Sequence, residues 1–342
     1  MRFRLTENNI PLLATAVVCV SLFVAGSLRY EYFATLGNVR DILINNAFLG
    51  VVSVGMTFVI LSGGIDLSVG SMVALTGVII GWAVEKHSIH PGVAVPGALL
   101  FGALFGAGMG CLIHFFGLPA FLVTLAGMFL ARGLGYVLSL ESIPYSHALF
   151  SSASAVEFPL WRGGAFGLPL TAVVFLVTLL AGVYLAHFTS FGRNVYAVGG
   201  NEQSSVLMGL PVGRTKILVY AISGFCAALG GVVNSVYTLS GNPTSALELE
   251  LSAIAAVVIG GTLLTGGVGY VFGTLLGVLI LGIIQTALNF EGTLNAGWTR
   301  LAIGMLLFAF IALQRLVAWA SGGGAGWLTR RRRGFEVQDA NA

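Results

Sequence analysis

The sequence predicts an all-α polytopic membrane protein of about ten transmembrane helices, some broken or short, with both termini cytoplasmic. Three observations carry this reading. Only 8% of the 342 residues are charged, against roughly 25% in a soluble domain, too few to cover a water-facing surface. Mean hydropathy is +0.95, and apolar runs of about 20 residues recur, the length a helix needs to cross ~30 Å of hydrocarbon. A membrane β-barrel would instead alternate polarity over segments of ~10 residues. Finally, 48 residues are Gly, about twice the usual ~7% share and without a collagen-like period. Small residues are what close helix packing in lipid requires.

The apolar runs lie near 11–28, 42–62, 67–84, 93–116, 119–138, 168–188, 216–239, 249–265, 268–290 and 297–318. The first follows a short basic start and ends in "VAGS", which resembles a signal-peptide cleavage site. Its apolar core is longer than the ~7–15 residues of such a leader, and removing it would leave nine spans, so it reads as a retained helix. The eighth run is short. The runs divide the chain into a cytoplasmic N-terminus (1–10), a transmembrane domain (11–318) and a basic cytoplasmic tail (319–342).

An even number of spans places both ends on one side. With the N-terminus inside, cytoplasmic segments hold Arg2, Arg4, Arg193, Arg214, Lys216, Arg315 and Arg330 to Arg333. The outer segments hold only Arg29, Arg40, Lys86, Arg162 and Arg300, which obeys the positive-inside rule. The net charge of +3 is too small to suggest a nucleic-acid partner. The basic stop "RRRRGFEVQDANA" reads as a membrane-surface anchor. Cys19, Cys111 and Cys226 fall inside apolar runs without paired spacing and read as buried small hydrophobes.

Two polar segments are long enough to have structure of their own, an outer loop over 139–167 and a cytoplasmic loop over 189–215. In the latter, Asn201 is suited to cap a helix, Glu202 sits favourably in its first turn, and Gly209 with Pro211 stops it. The helix Glu202 to Met208 would be about 10 Å long. Val206, Leu207 and Met208 suit a helix that docks into a groove on a partner.

Within the spans, "VILSGGIDLSVGS" interrupts apolar sequence with Gly63, Gly64 and Asp66. A carboxylate in lipid costs at least ~2.5 kcal/mol. Asp66 can cap a helix starting at Leu67, with Ser68 and Ser71 on its first turns. Alternatively the glycines mark a break whose helix N-terminus faces a polar cavity, and both roles can hold together. Arg132, two-thirds along the fifth run, must snorkel, pair with a backbone carbonyl or meet a polar substrate. Asn45, Asn46, Asn234, Gln285 and Asn289 can hydrogen-bond sugar hydroxyls or join helices.

The two lysines, Lys86 and Lys216, lie outside any G-x-x-x-x-G-K-[ST] pattern, so the chain has no P-loop. Metal-ligand spacing and a nucleophile elbow are missing too. The chain therefore reads as a non-enzyme without a cofactor or metal of its own.

The stretches "GMTFVILSGGIDLSVGS", "LPAFLVTLAGMFLARGL", "FGRNVYAVGGNEQSSVLMGL" and "AIAAVVIGGTLLTGGVGYVFGTLLGV" resemble, in collinear order over about residues 33–316, the permease subunits of bacterial ribose-type sugar ABC importers. "ESIP", "SVLMGL" and "ALNFEGTLNAGWTR" are similar to the galactofuranose branch. The resemblance implies a multi-pass inner-membrane subunit for galactofuranose or a ribose-like sugar. It implies a second permease, identical or not, a cytoplasmic ATPase holding ATP and Mg, and a periplasmic sugar-binding protein. By this likeness Gly199, Gly200, Asn201, Glu202, Val206, Leu207, Met208 and Gly209 couple to the ATPase. Gly63, Gly64, Asp66 and Ser68 would border the translocation pathway, where Arg132, Asn234 and Gln285 are further candidates. Relatives commonly read E-L-D-A-I-A where this chain has Glu250, Leu251, Ser252, Ala253, Ile254 and Ala255, so any role of that Asp does not transfer to Ser252.

The competing class is an ion-coupled secondary sugar carrier. Such carriers keep titratable groups near the midplane, and Asp66, near a helix end, is the one candidate here. The paired glycine-rich segments "SGGIDLSVGS" and "TGGVGYVFGT" hint at an internal repeat, but splitting ten spans five and five does not place them in corresponding positions.

Overall fold

The computed structural model describes residues 10–159, 167–292 and 296–318. Arg2, Arg4, Arg162 and Arg330 to Arg333, with the tail 319–342, lie outside these residues, as does the Arg315 side chain.

Helix α1 (Ile10–Arg29) leads into α2 (Leu36–Asn45) and α3 (Ala47–Leu61), then α4 (Val69–Gly81), which ends in a π-helical turn over Trp82–Lys86. Next come α5 (Pro91–Phe115) and α6 (Ala120–Leu138). The outer loop folds as β1 (Ile143–Pro144), α7 (Ala148–Ala155), β2 (Glu157–Pro159) and β3 (Gly167–Pro169). Helix α8 (Leu170–Phe188) returns to α9 (Ser190–Gly200) and α10 (Glu202–Leu207), and α11 (Val212–Thr238) leads to β4 (Ser240–Gly241). The chain closes with α12 (Leu249–Ile259), α13 (Val271–Glu291) and α14 (Ala296–Ala318).

Layering follows polarity. Helices α3 and α4 are apolar on all sides and buried along almost their whole length, as a helix without a polar face must be. Helix α11 packs on both and on α5. The outer helices turn apolar side chains away from this core, among them Val17 and Val20 of α1, Leu100 and Leu104 of α5, Phe129 and Val137 of α6, and Val177 and Leu180 of α8. Lipid is the solvent that suits such a surface. Helix α1 belongs to the bundle: the Thr15 hydroxyl is buried and donates to the Ile259 carbonyl at 2.6 Å. Across the core, the Thr57 and Thr274 hydroxyls share a hydrogen bond of 2.7 Å, joining α3 to α13.

The α5–α11 seam has the small-residue spacing that lets backbones approach in lipid. Gly102, Gly106 and Gly110 face α11, and a Cβ at Gly106 would lie 2.0 Å from the Tyr220 carbonyl oxygen. From the other side, a Cβ at Gly224 would lie 2.2 Å from the Gly102 carbonyl oxygen.

Contacts between distant loops define two ends. At one, 62–68 meets 189–215 and 260–270: the Gly267 amide donates to the Leu61 carbonyl at 2.9 Å, and Glu202 pairs with Lys216 at 2.7 Å. At the other, β1 pairs antiparallel with β4 and β2 with β3. There Arg40 binds Glu157 and donates to the Gly167 carbonyl at 3.0 Å, and the Tyr30 hydroxyl donates to Glu291 at 2.6 Å. The Tyr145 hydroxyl reaches the Gly77 carbonyl at 2.6 Å, and burial raises the Tyr145 phenol above its ordinary pKa. The first end is the one that the positive-inside expectation assigns to the cytoplasm, and the two are called inner and outer on that basis.

The polytopic helical class holds, but the expectation of about ten transmembrane helices is corrected. Among the described residues, 7 helices are long and apolar enough to cross a membrane, or 8 if α2 and α3, bent by 53° at Asn46, count as one span. The eighth apolar run contains only the 11 residues of α12, about 16 Å at 1.5 Å per residue and half a bilayer. It stops because Gly260 and Gly261 close it: Gly260, Gly261 and Thr262 donate to Ala256, Val258 and Val257, with Gly261 at φ +92°. Helix α3 ends in the same pattern, Ser62, Gly63 and Gly64 donating to Phe58, Ile60 and Val59, with Gly63 at φ +80°. Both are Schellman-type closures. The two glycine-rich segments are thus equivalent helix ends at one end of the bundle.

The α5–α11 seam makes a stability prediction. Gly106→Leu overpacks it and should cost about 1–3 kcal/mol or more. Gly108, whose Cβ would have no neighbour within 4 Å, should accept Leu with a change within ~0.5 kcal/mol. Thermal melting of the two purified variants in detergent checks the contrast.

Candidate translocation pathway and coupling surface

The loop over 189–215, the candidate coupling loop, builds itself from local signals. Thr189 caps α9 by accepting the Gly192 amide at 3.2 Å. Asn201 ends α9 and starts α10, its Oδ1 accepting the Ser204 amide at 2.8 Å. Met208 and Gly209, the latter at φ +74°, close α10, one residue earlier than the sequence predicts. Val206, Leu207 and Met208 are exposed, Leu207 at 88%. The Glu202–Lys216 pair ties α10 to α11, and the Tyr196 hydroxyl donates to the Gly269 carbonyl at 2.8 Å. Burial pushes the Tyr196 phenol up to about 12, so it stays a donor throughout the physiological range.

Behind this surface, three glycine pairs meet. A Cβ at Gly199 would lie 1.8 Å from the Leu61 carbonyl oxygen and 2.7 Å from the Gly267 amide nitrogen. A Cβ at Gly266 would lie 2.8 Å from the Gly63 nitrogen, and one at Gly267 would lie 2.6 Å from Gly200 Cα. Gly266 and Gly267 have φ of +83° and +74°, where Gly alone is unstrained. Backbone therefore packs on backbone between the coupling loop and both helix breaks. A cavity of about 970 Å³ opens here, lined by Ser62, Gly63, Gly199, Asn201, Glu202 and Thr265 among others. Gly64 lines a neighbouring cavity of about 410 Å³ with His114, Glu202 and Lys216.

Asp66 is fully buried. Its Oδ1 accepts the Ser68 amide at 2.9 Å and the Ser68 hydroxyl at 2.7 Å, and its Oδ2 accepts the Ser223 hydroxyl at 2.7 Å. The carboxylate therefore steadies the restart of the chain, but α4 begins at Val69, two residues later than predicted. Local geometry explains the offset: Asp66 closes a turn onto residue 68 before the helix begins. Its bond to Ser223 also fastens the break to α11. Ser68 is buried beside it, and Ser71, on the first turn, is buried too.

Arg132 pairs with backbone carbonyls. Its Nη1 donates to Pro243 at 2.8 Å and Ser245 at 2.9 Å, holding the 239–248 segment against α6. This segment descends from the outer end and delivers Glu250 to the inner part of the bundle, where a Cβ at Gly70 would lie 2.3 Å from Glu250 Oε2. Glu250 is the intramembrane acid that sequence reading missed beside Asp66. Its sole local signal was a place at the head of the short eighth run.

Gln285 lines a cleft of about 470 Å³ at the outer end, with Asn45, Tyr237, Ser252, Thr286 and Asn289. Asn46 also borders it and donates to the Ile42 carbonyl at 2.9 Å. Asn234, half-buried on α11, is not among the residues lining this cleft. The structure thus joins Gly63 to the coupling residues, encloses Asp66 and Ser68, and places Gln285 at the opposite end.

A buried bundle with two interrupted helices, polar cavities at both ends and a short helix with exposed apolar side chains fits a membrane transport subunit. The family described as branched-chain amino acid transport system / permease component matches residues 38–311. Over 312 residues the chain is 49% identical to the inner membrane ABC transporter permease protein YjfF of Escherichia coli (strain K12), covering 90% of this chain and 93% of that one. It is 36% identical over 324 residues to the fructose import permease protein FruG of Bifidobacterium longum (strain NCC 2705), covering 94% and 95%. It is 39% identical over 273 residues to the ribose import permease protein RbsC of Escherichia coli (strain K12), covering 80% and 84%. No solved structure matches the chain. The chain belongs to the ribose-type family of sugar ABC-importer permeases. It is a multi-pass inner-membrane transport subunit, not an enzyme, of a class that works with an ATPase and a binding protein.

Two substitutions test the polar anchors. Asp66→Leu leaves the Ser68 and Ser223 donors unpaired, at about 1–3 kcal/mol, whereas Asp66→Asn keeps one acceptor oxygen for Ser68 and can donate its NH₂ to a turned Ser223 hydroxyl, and should lose less. Melting of the purified variants measures the difference, and equal losses would show the carboxylate's position to be incidental. Arg132→Leu removes charge-assisted bonds worth about 1.5–3 kcal/mol. Amide exchange at 244–248 should then rise while exchange in α3 stays slow.

Proposed function

We propose that this chain forms half of the membrane channel of an importer for galactofuranose, with ribose-like sugars as the next substrates in order. A second permease completes the channel, a partner ATPase binds ATP and Mg, and a periplasmic binding protein delivers the sugar. The galactofuranose assignment is supported by the similarity of "ESIP", "SVLMGL" and "ALNFEGTLNAGWTR" to that branch.

The observation that carries the mechanism is the glycine junction. Leu207 and its neighbours offer the ATPase an apolar helix face. Directly behind them, Gly199 abuts the Leu61 carbonyl, and that carbonyl accepts the Gly267 amide. Close-packed backbone transmits displacement without compliance. Movement of α9 and α10 on the ATPase therefore moves the ends of α3 and α12 and the starts of α4 and α13. The sugar passes along the backbone and hydroxyl groups that these helices border, held weakly because conduction requires release.

The test uses the full importer reconstituted in vesicles. Leu207→Asp should weaken co-purification of the ATPase about tenfold, or ~1.4 kcal/mol, and lower ATP-dependent galactofuranose uptake in parallel. Concentrative uptake by vesicles that contain this chain without any ATPase would overturn the reading.

A further inference from the structure

We propose that the outer cleft between α2, α11, the 246–252 segment and α13 is a receiving subsite for one neutral sugar, read by Gln285, Asn289 and Asn45. This rests on the importer reading and says where in this chain the sugar is first held.

Placement makes these residues costly without a polar occupant. Gln285 and Asn289 lie one turn apart on α13, a largely apolar span, and both are exposed. An amide side chain that faces hydrocarbon without partners is strongly unfavourable. Asn45 joins them at the bend where α2 gives way to α3, and it too is exposed. Its Oδ1 accepts the Tyr237 hydroxyl at 2.8 Å, which orients the amide NH₂ away from that bond. Three amides from two separate helices thus converge on one concavity. The cleft measures about 470 Å³, within the ~300–1,000 Å³ of small-molecule sites.

The lining also states the ligand's chemistry. Amides and hydroxyls supply donors and acceptors together, the pairing that a polyol needs. Every lining residue is uncharged, from Asn45 and Asn46 through Tyr237 and Ser252 to Gln285, Thr286 and Asn289. An amino acid zwitterion or a sugar phosphate would bring desolvated charge with no counter-charge to meet it. Leu247, Leu249 and Phe48 form the apolar part of the wall, suited to the C–H face of a sugar ring. Ser252 also lies in this wall and leaves it neutral.

The experiment measures uptake of labelled D-galactofuranose and D-ribose by the complete importer in ATP-loaded vesicles. Gln285→Leu and Asn289→Leu should each lower uptake about tenfold or more, with the ATPase still co-purifying. Gln285→Asn should retain at least about a third of uptake. Asn289→Cys, placed in a Cys111→Ser background, should react with a membrane-impermeant thiol reagent from the outer side and be protected by the transported sugar. Wild-type uptake in both leucine variants, or labelling indifferent to sugar, would overturn the subsite and leave the importer reading standing. Loss of ATPase co-purification in the leucine variants would assign these amides to assembly and also overturn the subsite. Absence of ATP-dependent uptake of either sugar by the unsubstituted importer would overturn both.

Discussion

Backbone groups that leave a helix inside a membrane have no water to bond, so every interruption must be repaired by protein. This constraint governs the whole molecule. At Ser62–Gly64 and Gly260–Thr262 the first repair is local, since each helix end folds its amides back onto its own last turn. The carbonyl of Leu61 is satisfied from the other break, by the Gly267 amide. Neither break is complete alone. Gly199 packs over their meeting point, and a side chain there would displace the very carbonyl that joins them.

Function follows from that repair. Two helix breaks cannot share hydrogen bonds and still move independently there, and the 189–215 loop, proposed above as the coupling element, is seated on the same atoms. The further anchors carry the linkage outward. Asp66 fixes the first break to α11 through Ser223, Thr124 of α6 donates to the Ile65 carbonyl at 3.2 Å, and Tyr196 fixes α9 to the second break. A protein built this way needs little chemistry of its own. It needs stiffness at one end and polar lining at the other.

Much of this was legible in the sequence where the signal is local. Asn201, Glu202, Gly209 and Pro211 placed the short helix α10 to within a residue, because capping and turn chemistry act over a few positions. Gly63 and Gly64 announced a break for the same reason. The span count was less legible, since hydropathy measures how apolar a run is and not where its helix stops. The run 249–265 is largely apolar, yet Gly260 and Gly261 divide it. Long-range partners left no trace at all. Nothing near Arg132 points to the carbonyls of Pro243 and Ser245, more than 100 positions away, and nothing near Asp66 points to Ser223. Glu250 escaped notice because its sequence position suggests a loop edge, whereas the descending 239–248 segment carries it inward.

The cavities at the two ends bear on how a solute can cross. The outer cleft and the large inner cavity share no lining residue, and α3, which runs from one to the other, is buried at every position from Gly50 to Leu61. Among the described residues the packed length of α3 separates these two cavities, so a polar route between them through the chain's own core has to be opened. Opening one would mean parting α3 from α12 and α13, against the buried Thr57–Thr274 bond and the glycine junction at their shared end. The alternative is a route along the outside of the core, where Gln285, Asn289 and Asn45 already face outward and a second permease can supply the missing wall. The second route leaves the packed core intact and places the exposed amides in water instead of lipid. Under the proposed pairing with a second permease the cost of those three side chains is removed, and the passage would lie between subunits instead of inside one.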